Sequence, residues 1–107
     1  MDNSIEARVA RGMELVKDRL DEIDTDRLDI ADPVNCVLGQ LFGSFHSHEA
    51  VEFRRTKVER WHGYPVNVGL DGWGFADADL LTEEWKSQIE VARRPVQLEL
   101  DLEMVGR

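Results

Sequence analysis

Sixteen consecutive residues, 33–48 (PVNCVLGQLFGSFHSH), contain no Asp, Glu, Lys or Arg, although 33% of the chain is charged. An uncharged segment of this length is unfavourable in water unless most of it is buried. Asp32 and Pro33 suit the cap and the first position of a helix, and Gly43 suits its end. The segment therefore predicts a buried central helix over 33–42, with apolar residues Val34, Val37, Leu38, Leu41 and Phe42.

The length and composition predict one folded domain over 1–107. Three Trp and four Phe supply the bulk that disordered chains lack. The single cysteine, Cys36, excludes an intramolecular disulfide framework and favours a reducing compartment. No run approaches the ~18 apolar residues of a membrane span, and the N-terminus has no apolar signal region. We therefore expect a soluble, cytoplasmic protein without a membrane partner.

The formal charge of −9 is unevenly distributed. Residues 1–32 carry a net charge of −5 and residues 77–90 one of −4, whereas residues 49–62 carry +1. Because phosphate groups repel an acidic surface, direct nucleic-acid binding is not expected. Two interpretations of the acids stay open. They form a solvated face that maintains solubility, or a surface that mimics DNA or docks on a basic partner.

Two stretches have the apolar period of an amphipathic helix. The first runs from a cap at Asn3 or Ser4 and has one narrow apolar stripe, formed by Ile5, Val9, Met13, Val16, Leu20 and Ile23. The second begins at Thr82, which two glutamates follow, and ends before Pro95. Its inner side is predicted to comprise Leu81, Trp85 and Ile89.

Residues 47–61 predict a further helix, which Ser47 caps. Its inner face is predicted to be Val51, Val58 and Trp61, with Arg54 and Arg55 outside. Residues 62–75 contain four glycines and a proline, so they predict a loop with a short strand at 65–68.

The connector 24–32 (DTDRLDIAD) is predicted to be held by hydrogen bonds from its aspartate side chains to the backbone. Leu28 and Ile30 are expected to attach it to the core. Gly39 inside the central helix predicts the close approach of a neighbouring element.

The last element has the period of a strand. Apolar residues alternate with polar ones from Val96 to Met104, which predicts one buried face. Its edge requires pairing with 65–68 or with the same strand of a second subunit, and the second option predicts a homodimer through 96–104. The predicted fold class is α+β and mainly α, with three or four helices packed around the central helix 33–42 and a C-terminal β-strand.

Several short elements carry a resemblance. They are Ala10-Arg11-Gly12, Leu28-Asp29, Asp32, Cys36-Val37-Leu38-Gly39-Gln40-Leu41-Phe42-Gly43-Ser44-Phe45, Gly74-Phe75 and Leu81-Thr82-Glu83-Glu84-Trp85. The series resembles a family of small accessory proteins of actinobacterial phages, which share Ala-Arg-Gly and Cys-x-Leu-Gly-Gln-Leu-x-Gly. The likeness covers 10–45 and 74–90 and fails over 46–73 and 95–107. It implies a phage origin and a location in the host cytoplasm, and it implies no catalytic residue.

No combination of reactive side chains predicts catalysis or a metal site. His46, His48, His62 and Cys36 are ligand types that zinc accepts, but the sequence has no CxxC or HxxxH pair. A lone cysteine in an apolar helix favours a buried structural thiol over a nucleophile. The aspartates of 24–32 lack the glycine that a calcium-binding loop requires at its sixth position. We predict no catalytic residue, no metal and no cofactor.

The predicted binding residues combine positive charge with aromatic rings, and they are Arg54, Arg55, Trp61 and Trp73. The sequence predicts a small acidic phage accessory protein that is not an enzyme and binds a host macromolecule, expected to be a protein. The alternative is a small-molecule or nucleotide binder that uses 46–75. An extended acidic face would favour the first function, and a pocket where Arg54, Arg55 or His46 meets an aromatic ring would favour the second.

Overall fold

The computed structural model describes residues 4–59, 65–70 and 75–93. Its elements are α1 (Ile5–Leu15), a first 3₁₀ helix (Lys17–Glu22), α2 (Val37–Phe42), α3 (His48–Phe53), a π-helix (Arg54–Glu59), a second 3₁₀ helix (Pro65–Val68) and α4 (Phe75–Arg93). These residues contain no β-strand, so the α+β prediction is wrong and the described part of the fold is helical. The strand predicted at 65–68 is a 3₁₀ helix. The strand predicted at 96–104, with the homodimer built on it, lies outside the described residues.

Helix α1 begins as predicted, because the Ser4 hydroxyl accepts a hydrogen bond from Ala7 N at 3.2 Å. The helix ends at Leu15, because the backbone of Val16 leaves the helical region with φ −118° and ψ 16°. The predicted apolar stripe continues beyond this point to Ile23. The chain continues as the first 3₁₀ helix, whose tighter turn still brings the end of the stripe into the core. Val9, Val16 and Ile23 are buried.

Helix α4 begins at Phe75, seven residues before the predicted start at Thr82. Thr82 is buried within the helix, where its hydroxyl donates to Ala78 O at 2.8 Å and accepts from Ile30 N at 2.9 Å. It therefore holds the connector against α4 instead of capping the helix. The predicted inner side of α4 is confirmed, because Leu81, Trp85 and Ile89 are fully buried.

Helix α2 begins at Val37, four residues after the predicted start at Pro33, because residues 33–35 form a turn. The Sγ atom of Cys36 caps it by accepting from Gly39 N at 3.3 Å. The predicted stop at Gly43 is confirmed by a φ of +91°, which favours glycine. Val37, Leu38 and Leu41 are buried as predicted, but α2 packs mainly on α3 and the first 3₁₀ helix, so the prediction that the other helices surround it is wrong.

The uncharged segment 33–48 is only partly buried. Pro33 and Val34 at its start are exposed, as is His46 near its end. A Cβ atom at Gly39 would collide with the carbonyl oxygens of Pro33 and Val34, so the predicted close approach is confirmed and its partner is the preceding turn.

The connector 24–32 is built as predicted. The carboxylates of Asp24, Asp29 and Asp32 accept from backbone N–H groups two residues later, at 3.0, 3.0 and 2.8 Å. Leu28 and Ile30 are buried. The connector therefore has a fixed shape, which positions the side chains on its two sides.

Candidate functional site

Two clefts have residues of the connector in their lining. The first, which we call the uncharged cleft, has a volume of about 250 Å³ and is lined by Ile30, Ala31, Pro33, Cys36, Phe45 and His46. The second, the acidic cleft, has a volume of about 420 Å³ and is lined by Asp26, Arg27, Leu28, Asp29, Asp79, Thr82 and Glu83. The connector therefore contributes consecutive residues, Asp29 and Ile30, to different clefts.

Phe45, which lines the uncharged cleft, contacts Pro33, Arg54 and His46. Its backbone N–H donates to Pro33 O at 2.7 Å, which joins the two walls of the cleft. The guanidinium of Arg54 lies 4.1 Å from the centroid of the Phe45 ring, and Nη2 of Arg54 donates to Phe45 O at 3.1 Å. The His46 ring stands nearly perpendicular to the Phe45 ring, with centroids 5.4 Å apart. These contacts fix Phe45 before anything binds.

Helix α3 changes into a π-helix at Arg54, the residue that contacts Phe45. The predicted inner pair, Val51 and Val58, is separated by seven residues, which is two α-helical turns. The observed inner pair is Ala50 and Val58, eight residues apart and both fully buried, whereas Val51 is 45% exposed. The wider π turn accommodates the extra residue, and Arg54 lies midway between the two. The prediction that Arg54 faces outward is therefore wrong.

The other predicted binding residues do not join this site. Arg55 is exposed and pairs with Glu52 at 2.8 Å, as expected of an ion pair on a helix surface. Trp61 and Trp73 lie outside the described residues. Of the four predicted residues, the structure thus places one, Arg54, beside a cleft, where it supports Phe45.

Cys36 lies in the wall of the uncharged cleft with a buried side chain. Its Sγ contacts the backbone, at 3.7 Å from Pro33 O and 3.3 Å from Gly39 N. Burial raises the pKa of the thiol above its usual range. The predicted burial of this thiol is confirmed, and both features oppose formation of a reactive thiolate.

The described residues that line the acidic cleft include four carboxylates and one guanidinium. Asp26 and Asp29 come from the connector, and Asp79 and Glu83 come from the exposed side of α4. The one guanidinium, on Arg27, donates to Asn35 Oδ1 at 3.0 Å. The cleft therefore presents negative charge from two elements that are joined by the hydrogen bond between Ile30 and Thr82.

Neither cleft is predicted from the sequence. The acidic cleft joins residues more than fifty positions apart, so no local pattern contains it. The uncharged segment 33–48 is the one sequence feature related to the uncharged cleft. Lack of charge is equally typical of a buried core, however, and a buried core helix is what the segment predicts.

The described residues contain no group of three His, Cys, Asp or Glu side chains that is arranged to hold a metal ion. In the same part of the chain, no helix is both long and apolar enough to cross a membrane. Comparisons of the chain with protein-family models, with curated proteins and with solved structures find no match.

Proposed function

We propose that this protein is a non-enzymatic accessory protein of an actinobacterial phage that binds a protein in the cytoplasm of the infected host. The observation that carries the proposal is the acidic cleft. Four carboxylates of its described lining come from two elements that a buried hydrogen bond joins, so the negative charge lies in a concave surface. Such a surface attracts a basic partner and repels nucleic acid.

The chemistry of Cys36 supports a role without catalysis. Its thiol is buried and its hydrogen-bond partners are backbone groups, whereas a nucleophilic cysteine requires an adjacent base and an accessible sulfur. The phage origin and the host location of the proposal come from the sequence resemblance alone.

Affinity capture from the lysate of an actinobacterial host, with identification by mass spectrometry, tests this function. We expect a host protein with a basic surface, released as the salt concentration rises because exposed charge pairs are screened. An unrelated protein of similar size and charge is the control. Capture of the same proteins by that control, or of nothing at all, would contradict the proposal.

A small-molecule or nucleotide binder is the second candidate, and the pairing of Phe45 with His46 at the uncharged cleft favours it. The lining offers apolar and aromatic contact to a ring. Among the described residues, the lining has no charged side chain that would pair with a phosphate group. Titration with AMP and with adenosine tests this function, and saturable binding of AMP that adenosine does not reproduce would establish a nucleotide site.

A further inference from the structure

We propose that the uncharged cleft receives one aromatic side chain of the bound protein, from a segment that also places a basic residue in the acidic cleft. This inference rests on the proposed function, because the aromatic side chain belongs to the protein partner.

The lining of the uncharged cleft resembles the centre of a protein interface in its lack of charge. The described residues that line this cleft include no Asp, Glu, Lys or Arg, although 33% of the chain is charged and the net charge is −9. The buried centre of a protein interface is likewise depleted in charged residues and enriched in aromatic ones, while its rim is polar. An uncharged concavity beside an acidic cleft fits this arrangement.

The volume of the cleft sets the size of its occupant. A closed apolar cavity of roughly 150 Å³ holds one benzene molecule, and pockets for larger ligands begin at roughly 300 Å³. At about 250 Å³, the uncharged cleft accommodates one aromatic ring system. Side chains that anchor an interface are commonly single Trp or Tyr residues in such pockets.

The walls of the cleft are already in place. Phe45 is held by Arg54 on its ring and by Pro33 at its backbone N–H. His46 stands at a right angle to Phe45, so an incoming ring meets one wall by stacking and the other by its edge, the two arrangements that aromatic pairs prefer. A preformed pocket loses little conformational entropy on binding.

The two clefts together predict that the partner has a basic residue next to its aromatic residue. Asp29 and Ile30, whose Cα atoms are about 3.8 Å apart as chain neighbours, line different clefts, and on the proposal a short segment of the partner contacts both. The carboxylates of the acidic cleft require a Lys or Arg beside the aromatic residue. A second copy of this chain is disfavoured as the occupant, because two molecules of charge −9 repel each other.

Two blocked tripeptides, Lys-Trp-Lys and Ser-Trp-Ser, test the inference by NMR titration of the ¹⁵N-labelled protein. We expect both to shift the amide signals of Ala31, Phe45 and His46 in a saturable manner, with dissociation constants in the millimolar range for so small a contact. The lysine peptide should bind roughly 2- to 30-fold more tightly at low salt and also shift Asp29 and Asp79. Blocked Lys-Leu-Lys should bind more weakly.

Three results would overturn the inference. One is the absence of saturable shifts at the uncharged cleft, and another is equal binding of the Leu and Trp peptides. The third is tighter binding of AMP than of Lys-Trp-Lys, which would assign the cleft to a nucleotide.

In the variant Ala31→Leu, the larger side chain at an exposed position fills the cleft. The hydrogen bond from the backbone N–H of residue 31 to Asp29 Oδ1 stays intact. It should weaken binding of Lys-Trp-Lys about tenfold or more, whereas Ala10→Leu, at an exposed position of α1, should leave it unchanged. As a second variant, His46→Ala removes one wall and should weaken binding about 2- to 10-fold.

The two proposals fail in different ways. If no host protein is captured, the proposed function fails even where the tripeptides bind. If a host protein is captured but binds Ala31→Leu as tightly as the native chain, only the inference fails.

Discussion

The indole N–H of Trp85 donates a buried hydrogen bond of 2.7 Å to the carbonyl oxygen of Gly69. Trp85 is fully buried on the inner side of α4, and Gly69 follows the second 3₁₀ helix. The same ring lies against Gly12 of α1, where a Cβ atom would come within 2.7 Å of its Cζ2 atom. One side chain therefore joins three separate parts of the chain.

Replacing Trp85 by Phe should destabilise the protein, because the buried carbonyl oxygen of Gly69 loses its donor. An unsatisfied buried group costs about 1–3 kcal/mol, and the smaller ring adds a loss of packing. Urea denaturation followed by circular dichroism measures the free energy of unfolding. A change within about 0.5 kcal/mol, as is usual for surface substitutions, would show that this contact is unimportant.

The variant Gly12→Ala should destabilise as well, although alanine is favoured over glycine in a helix by about 1 kcal/mol. The added methyl group collides with Val68 O and with the ring of Trp85, and overpacking of this kind costs about 1–3 kcal/mol. Ser87→Ala, at an exposed position of α4, is the control and should change stability little. Stabilisation by Gly12→Ala would contradict the close packing of α1 on α4.

The carboxylate of Asp32 accepts hydrogen bonds from the backbone N–H groups of Val34 and Asn35, at 2.8 and 3.3 Å. These bonds hold the pKa of Asp32 below its usual range. Because the pKa is lower in the folded state, the stabilisation is present above the unfolded value of about 3.9 and is lost as the pH falls toward the lowered pKa. NMR titration of the side chain should give this low pKa, and a pKa in the usual range would contradict the prediction.

Cys36 should react slowly with a thiol reagent in the native protein and rapidly in denaturant. The side chain is 1% exposed, and burial raises the pKa of its thiol, so little thiolate is accessible. The rate of colour release from an aromatic disulfide reagent measures both states. Rapid labelling of the native protein would restore the nucleophile hypothesis.

Features of the fold that depend on local physics were predicted from the sequence. The apolar side of α4, the cap at Ser4 and the end of α2 at Gly43 each follow from a few neighbouring residues. The start of α4 was not predicted, because Thr82 looked like a cap when its hydroxyl in fact holds Ile30, which lies 52 residues away. The π turn after Phe53 was missed because periodicity assumes one helix type.

Several residues of the resemblance have structural roles in the described part of the chain. Cys36 caps α2, and Gly39 permits the close approach of the preceding turn. Gln40 accepts from Asp24 N and donates to Asp24 O and Asn35 O. These residues stabilise the conformation of the connector, and the connector lines both clefts. The motif therefore accounts for the fold around the site, and the side chains that line the acidic cleft had to be located in three dimensions.

The affinity of the captured host protein for charge-neutralised variants tests most directly whether the acidic cleft is the docking surface. Asp79→Asn combined with Glu83→Gln removes two carboxylates from the cleft, and Glu14→Gln combined with Asp18→Asn removes two exposed ones from elsewhere. We predict that the cleft variant binds roughly 2- to 30-fold more weakly at low salt and depends less on salt, while the control binds as the native chain does. Equal affinity of the cleft variant and the native chain would contradict the account.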